Sequence, residues 1–254
     1  MSAEMVKATL NGQFNIILPK HRADRPEWYT EQGWEKKRLE RLYHAITDQI
    51  AEGRTPKVYY VGAEEGEMPA LCQMWGANVL LIEPNEKVLP NIKAIWEANK
   101  LSQPDILVGF MGNEATVKAD WHKHRVKLEN IKGEVIGDHG FKELHDSGDI
   151  PVYRIDDLVS SGFVSPTIIT MDVEGSEFEV LKGAEQTIRT FKPDILLSLH
   201  PEFLIQYWGV YGAEVRKWIK DLGYDEELLD YQHEVHLMYT PREGNDENTP
   251  ANAR

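Results

Sequence analysis

The sequence predicts an α/β protein, a mostly parallel sheet with helices on both faces. Short runs at 57–61 (KVYYV), 78–82 (NVLLI), 105–108 (DILV), 167–171 (TIITM) and 194–199 (DILLSL) are nearly all apolar, as strands buried on both faces are. Between most of them stand stretches with apolar residues every three or four positions, the spacing of amphipathic helices. Strands joined through helices need crossover connections, which make neighbouring strands parallel.

In chain order, residues 14–18 (FNIIL) predict an accessory strand. Over 34–51, Leu39, Leu42, Tyr43, Ile46 and Ile50 recur at helical spacing, and Gly53 and Pro56 end the helix. Residues 1–56 are therefore read as an N-terminal, largely helical extension packed on a main domain at 57–240. Strand 57–61 is followed by a glycine turn and a helix carrying Leu71, Cys72 and Trp75. Strand 78–82 ends in Glu83-Pro84, and a helix over 86–100 turns Leu89, Ile92 and Trp96 inward. Residues 112–154 are dominated by glycine, histidine and charge and predict an irregular excursion or small strands. After strand 167–171, Phe178, Leu181, Ala184, Ile188 and Phe191 predict one amphipathic helix ended by Pro193. Strand 194–199 leads to His200-Pro201. Val215, Trp218, Ile219 and Leu222 mark a further helix, and 230–239 a last strand. Residues 241–254 are polar and turn-rich, the composition of a disordered tail.

Composition narrows the function. The 254 residues are 41% apolar and 28% charged, as in soluble globular proteins. Twenty-eight basic and 42 acidic side chains leave a net charge of −14, which repels phosphate backbones and argues against general nucleic-acid binding. A basic stretch with Lys118, Lys123, Arg125, Lys127 and Lys132 is read as a solvated face. Together with His122, His124 and His139 it is the alternative docking surface for an anionic or phosphorylated sugar. One cysteine, Cys72, excludes an intrachain disulfide framework. No run reaches 18 apolar residues and no secretory signal is seen, so no membrane span and a cytoplasmic location are expected.

The chemistry should sit beyond the carboxyl ends of the strands, where strand order reverses. After the first strand comes Gly62-Ala63-Glu64-Glu65-Gly66, in which Gly62 can turn the chain and Gly66 can start a helix close to a ligand. Glu83 follows Gly62 by 21 positions at the tip of the next strand. An acid there suits a ribose diol; an ordinary exposed Glu-Pro turn is the alternative. The glycines lack the G-x-G-x-x-G spacing, and Glu64-Glu65 would repel a pyrophosphate but not a sulfonium or an α-amino group. That contrast favours S-adenosylmethionine over NAD.

The run VYYVGAEEGE, VLLIEPNEKVLPNI, IPVYRIDDLV and TIITMDVEGSEFEVLKGAEQTIRTFKPDILLSLHP, spread over residues 57–201, resembles the FkbM family of methyltransferases. Its most specific part is Asp172 to Glu177 (DVEGSE) with Leu181 to Ala184 (LKGA) behind it. The resemblance implies a class I, Rossmann-like, S-adenosylmethionine-dependent fold and O-methylation of a hydroxyl on a sugar or similar small metabolite. It implies that Gly62, Ala63 and Gly66 hold the methionine part and Glu83 the ribose. Phe110 and Met111 are assigned to the adenine edge, and Tyr60, Glu64, Pro84 and Asp172 complete the expected cofactor set. The chain departs from the family at Tyr60 (usually Asp), Glu64 (commonly Asn), Thr170 (Lys) and Ser198 (Glu). Glu64 is expected to supply the charge that Tyr60 lacks. A catalytically degenerate binding protein is the alternative, and an NAD-dependent oxidoreductase the weaker one.

Methyl transfer needs alignment and, for a hydroxyl acceptor, a base. Asp172, Glu174, Glu177 and His200 are the candidates, the first two and His200 preferred, with Asp172 as a helix cap the competing reading. Glu177, farther into its helix, is expected to be exposed. Asp172, Glu174, Glu177 and His200 would also permit a divalent metal, but no spacing is diagnostic of one, so none is assigned: His122-x-His124 lacks a third partner. Trp121 and Trp208 are the tryptophans expected toward substrate.

Overall fold

The computed structural model describes residues 4–25, 35–116, 125–135, 150–231 and 234–242. Five of the apolar runs become parallel strands: β3 (Lys57–Val61), β4 (Asn78–Glu83), β5 (Asp105–Val108), β9 (Ile168–Met171) and β10 (Asp194–Leu199). Three antiparallel strands extend them: β7 (Arg125–Val126) on one edge, β12 (Val235–Pro241) and β11 (Tyr224–Tyr231) on the other. The order is β11-β12-β10-β9-β3-β4-β5-β7. The chain runs outward from β3 through β4 to β5, then resumes on the other side of β3 with β9, so strand order reverses around β3.

Alternation along the strands buries both faces. Val58 and Tyr60 belong to one apolar cluster, Tyr59 and Val61 to the other. The first cluster is covered by α2 (Lys36–Ala51), α3 (Glu67–Met74) and α4 (Leu89–Ala98). The second lies under α5 (Ile155–Ser160), α6 (Glu177–Lys182), α7 (Glu185–Phe191) and α9 (Gly212–Asp221).

The N-terminal helical extension is not what forms. Residues preceding α2 make an antiparallel hairpin, β1 (Met5–Leu10) with β2 (Phe14–Pro19), followed by the short α1 (Lys20–Ala23). The hairpin packs over α3 and α4, and α2 packs against β10, β11 and β12. Leu10, Phe14, Leu39 and Leu42 share one core with Val58 and Leu81, so this segment is part of the layer covering the sheet.

Three elements differ from the periodicity. The helix expected from Phe178 to Phe191 is broken into α6 and α7 at Gly183. A Cβ on Gly183 would lie 2.1 Å from the Gly112 carbonyl oxygen. Asp156 takes up the freed groups: its N–H donates to the Gly183 carbonyl (3.0 Å) and its carboxylate accepts the Gln186 and Thr187 N–H groups (3.1 and 2.8 Å). The last strand is a hairpin, because β11 (YDEELLDY) hides its pattern under the acidic residues that an edge strand carries toward water. Pro201–Trp208 forms α8, started by a proline at its first position, so Trp208 is helical and half exposed. The described part of the excursion holds β7 and the short β8 (Val152–Tyr153), which pairs in parallel with β6 (Phe110–Met111) just before the excursion. Trp34, Lys118, Trp121, His122, Lys123, His124, His139 and the tail from 243 onward lie outside the described residues. No described helix is long and apolar enough to cross a membrane.

Candidate active site

Register brings the site together. Val61 pairs with Ile82 of β4 and with Met171 of β9, so the next residues, Gly62, Glu83 and Asp172, leave three adjacent strands at one level. They open into a cleft of about 680 Å³, its mouth included. Gly62, Glu64, Glu83, Pro84, Gly109, Phe110, Met111, Asp172 and Glu174 are among its lining. Gly62 has φ +80°, and a Cβ on it would lie 1.9 Å from the Asp172 carbonyl oxygen, so a side chain there would force β3 and β9 apart at the cleft. Tyr60, Ala63 and Gly66 do not line this cleft. Tyr60 points to the opposite face; with Ala63 it borders a smaller cavity against α2. Gly66 starts α3, where a Cβ would meet Ile92 at 2.9 Å, so it serves helix packing.

Glu83 is 4% exposed, which removes the exposed-turn reading. Its two oxygens accept the backbone N–H groups of Glu64 (2.9 Å) and Asn85 (2.8 Å). Burial pushes its carboxyl up to about 7, against the pull of these N–H groups.

Asp172 caps no helix; α6 begins after Ser176 without a side-chain cap. Instead Asp172 Oδ2 lies 3.4 Å from Arg38 Nη1. Burial and nearby Glu234 raise its carboxyl above the ordinary range, Arg38 opposing them.

Glu174 and Gly175 both adopt left-handed backbone (φ +50° and +100°), a turn that sends Glu177 back under the loop. Glu177 is thus fully buried rather than exposed, and its Oε1 accepts the Gly175 N–H (2.9 Å) and faces His200 Nδ1 (2.7 Å). His200 Nε2 faces Glu234 Oε2 at 2.8 Å, with Asp172 Oδ1 and Glu174 Oε2 each at 3.7 Å. Burial works against the charged imidazole, but the bonds to Glu177 and Glu234 and the Asp172 charge prevail and hold it at about 11. Glu234 is held down at about 2, its own burial outweighed by His200 and His236. Asp172, His200 and Glu234 each present one ligand-type atom, all within 4.8 Å of one another.

Sequence reasoning missed Glu234, which arrives from the β11–β12 hairpin, and the buried Arg38 of α2. Arg38 donates to Glu35, to Tyr60 Oη (3.5 Å) and to Thr170 Oγ1 (3.3 Å). Tyr60 and Thr170 are register partners across β3 and β9, so two of the noted departures face one guanidinium. Ser198, a third, meets His236 Nδ1 at 3.0 Å. Glu64, the fourth, has φ +46°, and its Oε2 lies 3.4 Å from Arg22 Nη2 of α1. Arg22 also pairs with Glu67 and approaches Glu65 Oε1 (3.6 Å). Arg125 pairs with Asp105 where β5 begins, at the end of the sheet away from the cleft.

No curated protein matches the chain. A solved structure of the methyltransferase FkbM from Methylobacillus flagellatus KT is similar to it, at 22% identity, TM-score 0.49, over 73% of this chain and 43% of that one. The match therefore spans less than half of that protein. Magnesium protoporphyrin IX methyltransferase from Synechocystis PCC 6803, with bound S-adenosylmethionine, is similar at 13% identity and TM-score 0.40, over 81% and 80% of the two chains. The sequence pattern of the methyltransferase FkbM domain matches residues 61–226, well over half of the chain. The chain belongs to the FkbM methyltransferase family.

Proposed function

We propose that this methyltransferase uses S-adenosylmethionine to O-methylate a hydroxyl of a sugar or another small metabolite. One observation carries the cofactor: the described lining of the cleft holds four acidic side chains (Glu64, Glu83, Asp172 and Glu174), with Arg22 and Arg38 only behind two of them, and no basic side chain. Such a wall disfavours the pyrophosphate of NAD and favours a sulfonium and an α-amino group. Glu83, its carboxylate fixed by two backbone N–H groups, retains lone pairs for a ribose diol. Pro84, Phe110 and Met111 offer the apolar edge that an adenine ring needs.

S-adenosylmethionine supplies a methyl group already activated on sulfur, so the chain must chiefly align donor and acceptor. Asp172, at the junction of the cleft and the His200 cluster, would orient the cationic end of the cofactor. Glu174, half exposed on the same rim, is the carboxylate best placed to take the proton of an incoming hydroxyl. His200, donating to Glu177 and Glu234, would position the acceptor side. The Arg125–Asp105 pair, at the other end of the sheet, gives no support to a phosphorylated acceptor.

Titration calorimetry with S-adenosylhomocysteine and with NAD tests the cofactor. Binding of the first and not the second is expected; NAD binding alone would overturn the reading. Tritium transfer from labelled S-adenosylmethionine to a panel of glycosides and sugar nucleotides tests the acceptor class.

A further inference from the structure

We propose that Asp172, His200 and Glu234 form a site for a divalent cation that opens onto the cleft. Three segments distant in sequence (the end of β9, the end of β10 and the β11–β12 hairpin) deliver one ligand atom each, all within 4.8 Å. His200 and Glu234 are 7% and 2% exposed. The imidazole orientation is set from outside this trio. Glu177 Oε1 already accepts the Gly175 N–H, so it meets His200 Nδ1 as an acceptor, and Nδ1 carries the hydrogen. Nε2 is thereby turned toward the carboxylates. A carboxylate behind the histidine and carboxylates in front of it is the arrangement that holds metal-binding imidazoles.

Only the Glu234 oxygen lies at bonding distance from Nε2, while Asp172 Oδ1 and Glu174 Oε2 stand at 3.7 Å. An ion between these atoms would bond to Nε2, Asp172 and Glu234 together, with Glu174 next to it. In the ion-free chain a proton holds that place, and binding exchanges it for the cation. One imidazole with two carboxylates suits Mn²⁺, Fe²⁺ or Zn²⁺ better than Ca²⁺. Three protein ligands leave positions free, and Asp172 and Glu174 line the cleft, so a free position faces it.

The role of the ion rests on the methyltransferase reading. It would hold the acceptor hydroxyl and lower its pKa. The oxygen lone pair then forms the O–CH₃ bond as the C–S bond breaks, its electron pair staying on sulfur. The hydroxyl proton passes to Glu174 and on to water, leaving a neutral thioether and the ether product.

The test uses the full chain and Mn²⁺ alone, followed by electron paramagnetic resonance. One bound Mn²⁺ per chain is expected, with ¹⁴N modulation from an imidazole. The substitutions E234Q and H200N should weaken binding at least tenfold, and Glu177→Gln by about 10–100-fold. No Mn²⁺ binding at millimolar concentration, a bound ion without the ¹⁴N signal, or unchanged affinity in both ligand variants overturns the site. The wild-type ¹⁴N signal decides even where a variant fails to fold. S-adenosylhomocysteine calorimetry without Mn²⁺ separates the two readings. Retained cofactor binding with no Mn²⁺ site sinks the cation alone, and a Mn²⁺ site without cofactor binding sinks the cofactor reading alone.

Discussion

The two walls of the cleft are built differently. On the side proposed for the cofactor, Glu83 is held by main-chain N–H groups of Glu64 and Asn85, residues in the turns at the strand tips. On the side proposed for the acceptor, His200 is held by side chains from three other places: Glu177 on α6, Glu234 on the β11–β12 hairpin and Asp172 after β9. The first wall depends on local backbone, which strand pairing already fixes. The second depends on buried charges that must all arrive together. Damage should therefore be local in the first and cooperative in the second.

The largest effect is expected where the charges are buried. Glu177→Ala removes the carboxylate behind His200 and should cost about 3–5 kcal/mol of unfolding free energy, read by urea denaturation. A loss under about 1 kcal/mol would show that the cluster is not held as a unit. Next comes the backbone-held wall. Glu83→Ala should weaken S-adenosylhomocysteine binding by about 1–3 kcal/mol in calorimetry, the scale of charged hydrogen bonds. Unchanged affinity would misplace the ribose.

A smaller effect follows from pH. Glu83 titrates near 7 because burial favours its neutral form, whereas hydroxyl donors favour the carboxylate. Cofactor affinity should fall as pH drops through 7, by up to about tenfold between pH 8 and pH 6. Glu83→Gln should flatten this slope; a slope that survives the substitution belongs to another group. The smallest effect is at the surface. Arg41→Ala, which breaks an exposed pair with Glu227 (3.1 Å), should cost less than about 1 kcal/mol and leave cofactor binding alone.

The same contrast decides what the sequence could tell. Gly62, Glu83 and Asp172 were readable because each directly follows an apolar strand run, and parallel pairing sets them side by side. Glu174 was readable beside Asp172, whereas the burial of Glu177 was not, since helical spacing says nothing of the left-handed turn before it. Glu234 was invisible, because β11 concealed the hairpin that carries it. Arg38 did leave a signal: it lies four residues before Leu42, on the stripe continued by Ala45 and Gln49, all buried. A cation on an apolar stripe announces a buried partner. Gly183 showed the opposite failure, an unbroken periodicity across a broken helix, because the cause is a neighbouring carbonyl that no spacing reveals.

Arg22 carries one further consequence. From the short helix after the N-terminal hairpin it reaches Glu64, Glu65 and Glu67, the segment whose backbone secures Glu83. Any coupling of hairpin docking to occupancy of the cleft through this segment must run both ways by the same factor. A bound nucleoside should slow amide exchange in residues 14–19, although none of them touches it.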